Sequence, residues 1–196
     1  MNRSTDDTRV QIGSLFHITH YKNLPRILDY GIQSYNESLK QGYRQVDISD
    51  PKVQERRNVI DPVFNRSLHD YAPTYINPRN PMLYVRRNVC ECLAILEIST
   101  EVLTHFEFLI CDGNAASKAT AFYSTINDCH RLPWAVLNGR YWTEFPDGRR
   151  KMCSECLIYP WIPRRFIARL HFRSEKYRKS YQRFDLSVSC SPQLFF

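Results

Sequence analysis

Six apolar runs, at 15–19, 82–86, 93–98, 108–112, 155–159 and 167–172, constrain this chain more than any other feature. Each is five or six residues long and flanked by polar or turn-forming residues. That is strand length, too short for a helix to bury a face, so all six are predicted as strands. Helical signals are fewer. Asn23 is placed to cap a helix over 24–30, with Pro25 in its first turn, Leu24, Ile27 and Leu28 on one face and Gly31 at its end. A helical turn is predicted at 51–58 and helices at 115–126 and 132–142, the last capped by the 128–131 region. The rest of 34–67 is polar and aperiodic, and a long ordered loop inside a compact domain is usually functional or mobile. Residues 69–84, HDYAPTYINPRNPMLY, predict extended chain with tight turns, and 145–152 a polar loop. Many strands with few helices make the fold class α+β.

The length of 196 residues suits a single domain, 1–196, with 1–12 as a flexible N-terminus and 173–196 as a basic C-terminal segment. No apolar run approaches the length that crosses a bilayer, and the polar start MNRSTDDTRVQ has no signal-peptide core. A cytoplasmic monomer that does not engage a membrane is expected. Seven cysteines, an odd count without secretory context, argue for reduced thiols rather than a disulfide scaffold.

Charge is uneven. Between 140 and 183 stand 12 Lys or Arg against Glu144, Asp147, Glu155 and Glu175, a net of +8 in a chain whose total is +7. A basic surface of this kind suits a phosphate backbone, or it serves solubility, and charge alone does not separate the two. Single motifs are equally open. Glu55-Arg56-Arg57-Asn58 pairs a carboxylate with two guanidinium forks that can clamp a phosphate, or forms an ordinary surface ion pair. His17 shares a strand face with Thr19, facing a pocket or hydrogen-bonded in the core. Cys90 and Cys92 with Cys153 and Cys156 supply four thiols, yet without standard zinc spacing they read better as small hydrophobes. Glu155 opens an apolar strand, where burying a carboxylate costs free energy unless it is paired or used.

In their order along the chain these stretches resemble the DarT family. The matching text is LFHITHYKNLPRIL with Gly31, QERRN at 54–58, HDYAPTYINPRNPMLY at 69–84, ICDGNAASKATAFY at 110–123, RYWTEF at 140–145 and RRKMCSECLIYPWIP at 149–163. The resemblance runs from 15 to 163. It implies an ADP-ribosyltransferase-like fold, two small sheets forming an NAD cleft with peripheral helices. His17, Ile18 and Thr19 match the strand that holds the nicotinamide end of NAD, and 41–57 matches the element that covers the dinucleotide. Arg57 and Glu155 match the catalytic arginine and glutamate, and 122–155 the substrate-recognising region. Arg26 stands where the family has a small residue near the ribose, and Gln33 completes the expected NAD-contacting set. Ser154 and Cys156 flank the glutamate where the family often has Ala or Gln, and Phe.

The implied activity is transfer of ADP-ribose from NAD, a co-substrate, to a base of single-stranded DNA, with no metal. Thymine is the base in the better-known branch. The implied setting is a toxin paired with a macrodomain antitoxin that removes the modification. The chemistry fits the residues. A carboxylate at Glu155 stabilises positive charge developing on the ribose, and neutral His17 fixes the nicotinamide end. Arg57 is too basic to accept a proton and is read as gripping the pyrophosphate and stabilising an anionic base. Bases in single strands are free to stack, for which Tyr71, Tyr75, Tyr84, Tyr141 and Trp142 are candidates. His69 and Arg79 join them, with Arg149, Arg150 and Lys151 for phosphates. The rival readings are an RNA-directed enzyme of the same fold, an inactive nucleic-acid-binding module and a zinc-stapled structural protein.

Overall fold

The computed structural model describes residues 12–43, 45–182 and 185–196. The elements in chain order are β1 (Ser14–His20), α1 (Leu24–Tyr30), β2 (Ile32–Gln33), α2 (Tyr35–Lys40), α3 (Pro51–Arg56), β3 (Ala72–Tyr75), α4 (Pro81–Val85) and β4 (Leu93–Ser99). There follow β5 (Glu107–Cys111), β6 (Phe122–Tyr123), α5 (Trp134–Leu137), α6 (Gly148–Lys151), β7 (Glu155–Tyr159), β8 (Trp161–Ile162), β9 (Ile167–Phe172), α7 (Glu175–Tyr181) and β10 (Ser187–Cys190). Among the described residues no helix is long and apolar enough to cross a membrane.

Eight strands lie in the order β10-β9-β4-β1-β3-β7-β5-β6, and β2 pairs with β8 apart from them. The centre of the eight is a seam. β1 runs along β4 through seven pairs from Ser14↔Ser99 to His20↔Leu93, but meets β3 only at Phe16↔Tyr75. The sheet is therefore two four-stranded halves, as the α+β reading with two small sheets expects. Pro73 brings no N–H to the seam, and His17 Nδ1 lies 2.8 Å from its carbonyl, a side chain standing where the ladder stops.

Packing follows the same division. One core covers one face of both halves, with Leu15, Leu96 and Leu170 from the first, Ile110 and Ile158 from the second, and Leu24 and Leu28 of α1 above them. The opposite face carries two separate clusters. Ile18, Leu93 and Ile95 pack under Leu83 of α4, whereas Leu68, Tyr71, Leu109 and Leu157 pack together on the second half. One face is thus continuous and the other interrupted.

Five of the six predicted strands form. The run at 82–86 is instead part of helix α4: Asn80 caps it by accepting from the Leu83 amide at 3.1 Å, and Pro81 takes the first turn. The predicted helix at 115–126 is a stitched loop followed by β6 and a 3-10 segment, and that at 132–142 is helical only over Trp134–Leu137. The loop at 145–152 contains α6. Of the N-terminal segment, residues 1–11 lie outside the described residues, and Ile12 is buried in the main core. The C-terminal segment is built into the sheet: β10 lies parallel to β9, and Phe195 is buried beside Ile18.

Candidate active site

Glu155 begins β7 between Tyr75 on β3 and Cys111 on β5, and is 1% exposed. Arg57, at the C-cap of α3, reaches it across 98 positions of sequence: Nη1 donates to Oε2 at 2.8 Å and to Oε1 at 3.1 Å. The Ala115 amide donates to Oε1 at 2.9 Å. Burying such a pair is weak evidence of stability, because desolvation consumes most of the attraction. It is better evidence of use, and the rest of the guanidinium supports that. Nε and Nη2 have no hydrogen-bond partner among the described residues, and no buried side-chain polar atom there lacks one, so that edge of Arg57 is open.

Electrostatics keep Arg57 charged. Burial pushes the Arg57 guanidinium down, Glu155 pushes it up, and Glu155 prevails, so Arg57 remains a cation. Burial and the Glu155 charge raise the Tyr75 phenol and the Cys111 thiol well above their ordinary values, and push the Cys153 thiol up to about 12. These thiols stay protonated, which removes them as nucleophiles. Among the described residues no group of three or more His, Cys, Asp or Glu is placed to hold a metal ion.

The pair stands in the wall of a cleft of about 1350 Å³. β1 and α1 form one side, the segment around α3 another, and the loop after β5 a third. Asn23 fixes the α3 segment. Although it sits at the N-cap of α1, its side chain makes no cap bond. Its Oδ1 accepts from the Gln45 and Val46 amides at 2.9 and 3.0 Å, while Nδ2 donates to the Val46 carbonyl at 2.8 Å and to Thr19 Oγ1 at 3.0 Å. Asp50 then caps α3 through the Lys52 amide at 2.8 Å and delivers Arg57. On the far side Asp61 accepts from the Val63, Phe64 and Arg66 amides and from Tyr71 Oη, shaping the turn before β3.

His17, Ile18, Thr19, Arg26 and Gln33 all line the cleft with Arg57 and Glu155. Arg26 lies over the stacked rings of Tyr30 and Tyr43, at 5.8 and 5.9 Å, and Gln33 Nε2 donates to the Tyr30 carbonyl at 2.5 Å. His69 stacks on Tyr35 with centroids 4.5 Å apart and meets Gln54 Oε1 at 3.1 Å. Tyr75 and Arg149 also line the cleft.

Tyr71 and Arg150 also border the cleft but are engaged by protein partners, and the remaining candidates lie outside it. Tyr71 is 1% exposed, with its hydroxyl on Asp61 at 2.8 Å, so its ring belongs to the core. Arg79, Tyr84, Tyr141, Trp142 and Lys151 do not line the cleft. Tyr84 and Trp142 meet edge to face with Phe196 beside them, Arg79 lies 4.4 Å over the Phe196 ring, and Lys151 Nζ turns back to the Pro146 carbonyl at 3.2 Å. Arg150 is held by Asp112 at 2.7 Å and Asp147 at 2.5 Å. Sequence reasoning missed Asn23 as a loop clamp, Ala115 as a donor to Glu155, and Asp112. The Asp112-Gly113 turn dipeptide was the available signal for the last two.

The family model described as "ssDNA thymidine ADP-ribosyltransferase, DarT" matches residues 16–194. A DNA ADP-ribosyl transferase–DNA ADP-ribosyl glycohydrolase fusion protein of Thermosipho africanus is 32% identical over 191 residues, 93% of this chain and 49% of that one. A DNA ADP-ribosyl transferase of Thermus sp. (strain 2.9) is 30% identical over 175 residues, 83% of this chain and 82% of that one. In fold, the chain resembles Thermus sp. 2.9 DarT in complex with ADP-ribosylated ssDNA, with a TM-score of 0.86 over 100% of both chains at 24% identity. Thermosipho africanus DarTG in complex with ADP-ribose gives a TM-score of 0.84 at 29% identity over 93% of this chain and 51% of that one. The chain thus spans about half the length of the fusion protein and most of the Thermus relative. With the family match running from 16 to 194, and the paired Arg57 and Glu155 at the cleft, the chain belongs to the DarT family of ssDNA thymidine ADP-ribosyltransferases.

Proposed function

We propose that this chain transfers ADP-ribose from NAD to thymine in single-stranded DNA, with Glu155 and Arg57 as its catalytic residues. The observation that carries the reading is a carboxylate 1% exposed, paired with a guanidinium whose second edge opens to a cleft of about 1350 Å³. Such a cleft exceeds the volume of ordinary ligand pockets and suits a dinucleotide together with a base. NAD supplies the ADP-ribosyl group through its nicotinamide–ribose bond. Glu155 stabilises the positive charge that develops on the ribose and orients the incoming base. Arg57, fixed 2.8 Å from that carboxylate, is a cation beside the reacting sugar. This favours stabilising the negative charge on the base over a grip on the distant pyrophosphate. His17 donates from Nδ1 to the Pro73 carbonyl, which orients its ring in the cleft wall where the nicotinamide end would lie.

Tyr75 and Arg149 at the cleft, with Tyr84, Tyr141, Trp142 and Arg79 beyond it, give a strand rings to stack on and cations for its phosphates. The names of the relatives favour DNA over RNA, and the intact Arg57–Glu155 pair speaks against an inactive binding module. The Thermosipho relative joins a DNA ADP-ribosyl transferase to a DNA ADP-ribosyl glycohydrolase. On that basis the chain acts as a toxin opposed by a macrodomain glycohydrolase. Induced expression tests this. Growth should stop with wild type and continue with Glu155→Ala, and co-expression of a DNA ADP-ribosyl glycohydrolase should restore it. Toxicity that survives Glu155→Ala would contradict the reading.

A further inference from the structure

Among the described residues the Glu155 carboxylate is held by two partners, of which only Arg57 is tied to it by charge. The other is the Ala115 amide, 2.9 Å from Oε1, on a loop between β5 and β6 that has no regular structure. Internal bonds begin to shape that loop. Asp112 Oδ1 accepts from the Ala121 amide at 2.9 Å, Thr120 Oγ1 donates to the Asn114 carbonyl at 2.7 Å, and Asn114 Oδ1 accepts from the Ala116 amide at 2.9 Å.

Arg150 then grips both ends. Its Nη1 donates to Asp112 Oδ1 at 2.7 Å and to Thr120 Oγ1 at 3.1 Å, while its carbonyl accepts from the Asn114 amide at 3.1 Å. A Cβ on Gly113 would lie 2.3 Å from Nη1, so loop backbone and guanidinium are packed without room for a side chain. Arg150 also holds the approach to Glu155, since its carbonyl accepts from the Cys153 amide at 3.0 Å.

We propose that Arg150 is a positioning residue: it fixes loop 112–120 so that the Ala115 amide stays on Glu155. The proposal rests on Glu155 being catalytic. It replaces the expectation that Arg150 binds a DNA phosphate, and the charges agree. One guanidinium between Asp112 and Asp147 leaves the cluster net negative, a poor contact for a polyanion. Exposed Arg149, next in sequence and also at the cleft, is the better phosphate contact.

The test uses the full chain with 15N-labelled alanine, as wild type, Arg150→Gln and Thr120→Val. The threonine variant removes one Arg150 bond and one loop bond without altering charge. In both, hydrogen exchange at the Ala115 amide should quicken by about tenfold or more while amides of β4 and β9 keep their protection. Transfer to a thymine oligonucleotide should lose up to about 100-fold in kcat, more for Arg150→Gln, because small displacements of a reacting group are that costly. KM for the oligonucleotide should stay within about twofold. Unchanged exchange at Ala115, unchanged kcat, or a raised oligonucleotide KM for Arg150→Gln alone would each overturn the proposal. An inactive wild type would contradict the transferase reading, and the exchange measurement would then decide the positioning claim by itself.

Discussion

Two carboxylates on the same sheet are each bonded to a basic side chain, and they lead to opposite conclusions. Glu155 on β7 meets Arg57 in the cleft wall. Glu97 on β4 accepts from Ser14 Oγ at 2.8 Å and from His171 Nε2 at 3.0 Å, and His171 Nδ1 lies 2.9 Å from Ser191 Oγ. On paper the second set is the more suggestive, a serine, histidine and carboxylate in a row. The ring is turned the wrong way for a hydrolase, however, with Nδ1 rather than Nε2 toward the serine. Ser191 is 5% exposed, and none of the three lines the cleft. This network ties the segment after β10 to the sheet. What separates a site from a tie is access. At Arg57 one edge of the cation is unspent and faces an opening, whereas both nitrogens of His171 have protein partners.

The contrast is broken or sharpened most strongly at Glu155. Glu155→Gln should lower single-turnover nicotinamide release by about 1000-fold, roughly 4 kcal/mol of transition-state stabilisation, with the fold retained. Retained activity would put Glu155 in the same class as Glu97. Arg57→Lys comes next, at about 100-fold or roughly 2.7 kcal/mol, because an ammonium cannot hold Glu155 and present a second edge at once. Activity near wild type would contradict the two-edged role.

His171→Ala should do the reverse. It leaves kcat within about twofold and costs about 1–3 kcal/mol of stability in urea unfolding, because Glu97 and Ser191 lose their partner. Burial lowers the His171 imidazole below its ordinary value against the pull of Glu97. The unfolded chain therefore takes up the proton first. This contribution to stability is complete above the ordinary imidazole value of about 6.5 and is lost as pH falls below it. Urea midpoints measured across pH 7 to 5 should fall more steeply for wild type than for His171→Ala. Smallest is the salt effect: raising salt from about 50 to 200 mM should weaken oligonucleotide KM by roughly tenfold, as expected for two or three phosphate contacts, and leave kcat alone.

Much of this was legible in the sequence, and the failures share a cause. Strands that open as continuous apolar runs buried on both faces, such as Leu93–Ser99, could be read directly. The run at 82–86 is too short for its period to decide, and Asn80-Pro81 reads as a turn where the fold makes it a helix cap. Residues 115–126 have helix-forming composition, but the side chains of Asp112, Asn114 and Thr120 capture the backbone locally and leave no ladder to propagate. Arg150 was legible as a charge, and its partner Asp112, 38 positions upstream, was not. Arg57 and Glu155, 98 positions apart, were joined only through the family resemblance.

The most direct test of the central claim is mass spectrometry of oligonucleotides incubated with the purified chain and NAD, beside Glu155→Ala. A gain of one ADP-ribose on a thymine-containing single strand, absent from RNA and from the Glu155→Ala reaction, is the predicted result. No gain on any DNA strand, or an equal gain with Glu155→Ala, would contradict the account.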